Sequence, residues 1–183
     1  MNANLQSCGS IDVSRFPERH LPALLEALAY LQHSPTLRSV IGRVRATGQS
    51  IFMEFHPAHT KFLHHNPVNL RIQWNPFLGL RDITGWLTPA LLLGHELGHA
   101  QFTSAQRCAM LAQERPRGFQ NERFGVEEAL VMSMVERPAA AELNSARVRA
   151  TLPPLESAER FQHELGHMVG VSGPLSPNPP LAS

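Results

Sequence analysis

The run Leu91-Leu92-Leu93-Gly94-His95-Glu96-Leu97-Gly98-His99-Ala100 restricts the fold more narrowly than any other stretch of this chain. Thr88-Pro89 ahead of it reads as a helix start, with Thr88 as N-cap and Pro89 at the first helical position. On a helix, residues i and i+4 share a face, so His95 and His99 can address one metal ion. Glu96 is rotated to where it can reach a water on that metal. His95-Glu96-Leu97-Gly98-His99 is therefore the H-E-x-x-H pattern of zinc hydrolases, with two imidazole ligands and a glutamate as general base. The helix is apolar before and after the motif, and Gly98 and Ala100 let another backbone come close. A buried motif helix, with a partner element carrying a third ligand, is the requirement any fold must meet.

The same pattern returns at His163-Glu164-Leu165-Gly166-His167, so the copies must be weighed against each other. A catalytic zinc site needs a third protein ligand, usually a carboxylate downstream, and an open position for water. After His99 come Glu114, Glu122, Glu127, Glu128, Glu136 and Glu142. After His167 there is no Asp, Glu, His or Cys, and the second copy lacks the apolar lead-in. The first copy is the expected metal site.

The third ligand is expected from a helix over residues 121–137. Glu127-Glu128 there precedes Ala129-Leu130-Val131-Met132, placing an acidic pair at the head of an apolar segment. A carboxylate turned toward a core is costly unless it meets a cation. Small Ala129, with Val131 and Met132 on the packing face, favours Glu128. Glu127 stays open, because helical phase alone does not separate neighbours.

The 183 residues suffice for a single core, and an α+β domain is expected, with a small antiparallel or mixed sheet on the motif helix and the ligand-bearing helix. The boundaries read as a disordered or targeting segment over 1–15, a catalytic domain over 16–171 and a proline-rich flexible tail over 172–183. Residues 17–33 carry leucines at helical spacing. Residues 39–46 and 50–56, flanking Thr47-Gly48, read as a hairpin, and 68–74 as an alternating strand with an open edge for extended substrate. Pro138 is read as the stop of the 121–137 helix, with a further helix over 139–149. A net charge of +1 without a basic stripe argues against nucleic acid. No apolar run reaches membrane-spanning length, and the first residues lack the basic and apolar regions of a cleaved signal. Cys8 and Cys108 form no framework, which fits a reducing compartment.

From Val68 to Arg149 the chain resembles the NleD-type effector metallopeptidases, a bacterial type III effector group with a minimal zincin domain. The resemblance rests on Ile72-Gln73-Trp74-Asn75-Pro76, then the lead-in and H-E-x-x-H-A, then Glu127-Glu128 with Val131. It continues through Val135-Glu136-Arg137-Pro138-Ala139-Ala140-Ala141-Glu142-Leu143 to Arg147 and Arg149. It implies Zn2+ at His95, His99 and one of the two glutamates, Glu96 as base, and delivery by the type III route into a host cytoplasm to cut a signalling protein. That family often carries a Tyr or His soon after the terminal Arg, whereas the single Tyr here is Tyr30.

The chemistry expected is a zinc-dependent endopeptidase acting as a monomer on a protein substrate. The oxyanion needs a donor besides the metal, for which His163, Arg147 and Arg149 stand in the right part of the chain. His56, His59, His64 and His65 are expected to be loop histidines, since no carboxylate or Cys is interleaved. A zinc hydrolase of a non-protein substrate, or a binding module with a zincin fold, are the competing classes. Glu96 argues against the latter, because a purely structural site needs no base.

Overall fold

The computed structural model describes residues 11–64, 70–82, 85–114, 125–157 and 167–176. In chain order the elements are β1 (Ile11–Asp12), α1 (Leu21–Leu31), α2 (Pro35–Ala46), β2 (Ile51–Phe55), β3 (Lys61–His64), β4 (Leu70–Trp74), β5 (Leu78–Asp82) and β6 (Gly85–Leu87). There follow α3 (Pro89–Ala100), α4 (Ser104–Glu114), α5 (Val126–Val131), a π-helical turn (Met132–Glu136), α6 (Arg137–Arg149) and β7 (His167–Gly170). The class is α+β. One sheet has the order β1-β2-β4-β3, with β1, β2 and β4 parallel and β3 antiparallel to β4. The other, β6-β5-β7, is antiparallel throughout.

Strand β4 alternates buried Leu70, Ile72 and Trp74 with half-buried Arg71 and Gln73, as its period-2 pattern predicts. It has no open edge, however. Both flanks are taken, by β2 and by β3, so among the described residues β3 is the edge strand beside the motif helix.

Two local expectations give way to the structure. Residues 39–46 belong to helix α2, not to a hairpin. Ser34 accepts the Leu37 N–H as N-cap, Pro35 occupies the first turn, and Leu37, Val40, Ile41 and Val44 all face the core. Their helical spacing outweighs the strand preference of Val and Ile. Pro138 does not stop the helix either: α5, the π turn and α6 follow without a break from Val126 to Arg149. The Arg137 N–H reaches the Met132 carbonyl, five residues back. This widened turn lies just where the ring of Pro138 would meet the carbonyl of Met134 in a regular helix. Near the other end, Ile11–Asp12, within the segment read as disordered or targeting, pairs with β2. Within the expected tail, Pro174 is buried and its carbonyl accepts the Ala90 N–H, while half-buried Leu175 packs against the core.

Helix α3 lies at the centre of the core, against α1, α2, α5, the π turn, β3, β4 and β5. Nearly all of it is buried. Its start is fastened from several sides. Thr88 accepts the Leu91 N–H at 3.1 Å, and the fully buried Trp74 indole donates to the Pro89 carbonyl at 2.8 Å. Glu156 accepts from the Thr88 N–H and hydroxyl and from the Tyr30 hydroxyl, at 2.9, 2.7 and 3.1 Å. Two glycines set how closely neighbours approach. A Cβ on Gly94 would lie 3.1 Å from a Leu37 methyl, and one on Gly98 only 2.9 Å from a Val131 methyl. Helix α5 and the π turn, which carry Val131 and Val135, thus lie almost on the α3 backbone. Among the described residues no helix is long and apolar enough to cross a membrane.

Candidate metal centre

His95 and His99 stand one turn apart on α3, and Glu128 comes from the first turn of α5. Their donor atoms form a small triangle. His99 Nε2 lies 3.2 Å from His95 Nε2 and 3.1 Å from Glu128 Oε2, while His95 Nε2 lies 3.4 Å from Glu128 Oε1. Donors at zinc distances of 2.0–2.1 Å in a tetrahedron are separated by about 3.3 Å. The two imidazole nitrogens stand at about that spacing, and the two oxygens of Glu128 face one nitrogen each at similar distances. Among the described residues this is the one His/Cys/Asp/Glu group that could hold a metal ion.

The other nitrogen of each imidazole meets a carboxylate of its own. His95 Nδ1 is 2.7 Å from Glu136 Oε2, and His99 Nδ1 is 2.9 Å from Glu127 Oε1. The acidic pair that sequence phase left unresolved is thereby separated. Glu128 joins the Nε2 triangle, whereas Glu127, carried forward as an alternative ligand, orients His99 from behind. Carboxylates on the far nitrogens of metal-ligating histidines fix the tautomer and raise basicity. The electrostatics point the same way. Burial opposes charge on His95, yet Glu128 and Glu136 together hold its pKa well above the ordinary value. His99 is raised likewise by Glu127 and Glu128 against its own burial and the neighbouring His95. The site is built to surround positive charge.

Glu96 is only 7 % exposed, and its Oε2 accepts the Phe62 N–H of edge strand β3 at 2.8 Å. It lies next to His95 in sequence and outside the donor triangle. Phe62 also stacks on the His99 ring, 5.9 Å between centroids and nearly parallel, and takes the Arg107 guanidinium on its ring at 5.1 Å. Buried Arg107 donates to the His99 carbonyl and lies 3.7 Å from Glu127. Sequence reasoning missed Arg107 and Phe62, whose roles depend on contacts between separate elements. It met Glu136 only as one of several possible ligands.

Other candidates fall elsewhere. His163 and Glu164 lie outside the described residues, and His167 is exposed on β7 opposite Arg81. Arg149 is exposed at the end of α6, about 20 Å of helix from Glu136, and is not brought to the site. Arg147 donates to the Pro153 carbonyl. Tyr30 is committed to Glu156. Glu142 caps the start of α2 through Ser34 and Thr36. His56 and His59 stack on each other, and His59 contacts Gln73. The thiol of Cys108 is free and exposed. No protein-family profile matches the chain, and no curated protein or solved structure matches it significantly.

Proposed function

We propose that this chain is a zinc-dependent endopeptidase with a minimal zincin-like architecture. The observation that carries the reading is the donor triangle of His95, His99 and Glu128 with buried Glu96 beside it. Two nitrogens and one oxygen suit zinc, and three protein ligands leave the fourth position that catalysis requires. His95, His99 and Glu128 would hold the zinc, which would supply a Lewis acid able to bring the pKa of a water near neutrality. Glu96 takes the proton of the attacking water and returns it to the leaving amine. Its hydrogen bond to Phe62 N–H holds the carboxylate toward the β3 side of α3. The edge position of β3 suits an extended peptide added alongside, which favours a protein substrate over a small amide. Delivery into a host cell to cut a signalling protein rests on the resemblance to the NleD-type effectors.

The test is Glu96→Ala, with zinc measured by elemental analysis and cleavage by the appearance of new N-termini in a host-cell lysate. The variant should keep its fold and zinc while cleavage falls by at least about 10²–10⁴-fold. Unchanged N-termini from a folded, zinc-loaded Glu96→Ala protein would remove Glu96 as base. A zinc-loaded wild type that produces none would favour a binding module.

A further inference from the structure

Glu136 is 1 % exposed and belongs to neither the pentapeptide nor the acidic pair, yet it makes the shortest polar contact of the site, 2.7 Å to His95 Nδ1. Helix geometry alone does not put it there. At about 100° per residue, eight residues of regular helix would turn Glu136 about 80° away from Glu128. The π turn of Met132–Glu136 changes this count. It holds one residue more than a helical turn needs, so the interval acts as seven residues and the two carboxylates fall within about 20° of one face. Both therefore meet the same imidazole from one helix, Glu128 at Nε2 and Glu136 at Nδ1. Val131 and Val135, packed on Gly98, hold that helix close enough for a carboxylate to reach.

We propose that Glu136 is a positioning residue for the metal centre, placed by the π turn to hold the His95 proton on Nδ1 and present the Nε2 lone pair to the ion. An imidazole without such a partner exchanges tautomers and turns about its side-chain bonds, and each alternative takes Nε2 out of the triangle. The carboxylate also makes His95 a stronger donor. This inference rests on the metal-centre reading above but not on peptidase activity.

The experiment measures Zn2+ affinity by chelator competition and the visible absorption of the Co2+-substituted protein, for wild type, Glu136→Gln and Glu136→Leu. Glu54→Gln, which changes a half-buried carboxylate of β2 paired with Arg15 and Arg71, is the control. Glu136→Gln keeps an acceptor for Nδ1–H but loses the charge, and should bind Zn2+ about 10–100-fold more weakly. Glu136→Leu removes both and should bind more weakly still. The Co2+ bands should move in both variants and stay fixed in the control, which a residue that merely fills space would not cause. Affinities and spectra equal to wild type in either folded variant would overturn the proposal. A folded wild type that binds no Zn2+ would instead overturn the metal centre itself.

Discussion

Glu156 offers the most quantitative test of how the motif helix is anchored. Its carboxylate is buried at the start of α3, and burial holds its pKa at about 7, against an ordinary 4.5, despite three donors from Thr88 and Tyr30. The folded protein therefore binds this proton more tightly than the unfolded chain does. The stabilisation is complete below about pH 4.5 and is lost as the pH rises through about 7. A shift of that size corresponds to about 3 kcal/mol across the window. Glu156→Gln abolishes the titration with little change of shape. Its amide oxygen can still accept the Thr88 N–H, and the two hydroxyls can rotate to accept from its amide nitrogen. Urea unfolding at several pH values from 4.5 to 8, in the presence of a chelator, would give both stability curves. The raised histidines of the metal centre also lose stabilisation as the pH rises, but they are common to both proteins and cancel in the difference. Wild type should lose about 3 kcal/mol relative to Glu156→Gln across the window. Parallel curves would show that the carboxylate is charged in the fold throughout, with its three donors outweighing burial.

Two further outcomes follow from packing and placement. His95→Ala or His99→Ala should abolish stoichiometric zinc, because two donors hold it poorly, whereas exposed His167 is dispensable and His167→Ala should retain wild-type zinc by elemental analysis. Gly98→Ala places a methyl 2.9 Å from Val131 and should cost about 1–3 kcal/mol in urea unfolding, with partial recovery in Gly98→Ala/Val131→Ala.

Much of the centre of the fold was legible because its signals are local. Thr88-Pro89 and the apolar run specify α3, leucine spacing specifies α1, and alternation specifies β4. What failed depended on period or on distant partners. Val40, Ile41 and Val44 favour strands as residue types, and only their spacing shows that they line a helix. The place of β4 between β2 and β3 is decided by pairing order, which no stretch of its own sequence encodes. In the candidate site, the sequence narrows the third carboxylate to Glu127-Glu128 and favours Glu128, but leaves Glu127 open because neighbouring helical positions lie only about 100° apart. Glu136 escaped for a related reason. A regular helical count turns it away from His95, and nothing short of the backbone reveals the extra residue in the turn.

The fastening of α3 at its start also governs the order in which the molecule can be assembled. Thr88 meets Glu156 across 68 residues, and the Ala90 N–H finds its acceptor at Pro174, further along still. Closing such long loops is entropically expensive and slow compared with forming a single helix. The two histidines are close neighbours in the chain, but the ground beneath their helix is completed only after most of the polypeptide has been made. A chain emerging from a ribosome thus carries its pentapeptide early and a finished site late. Until the distal segments dock, the helix carries its two histidines and Glu96 but no rigid frame to hold them against Glu128.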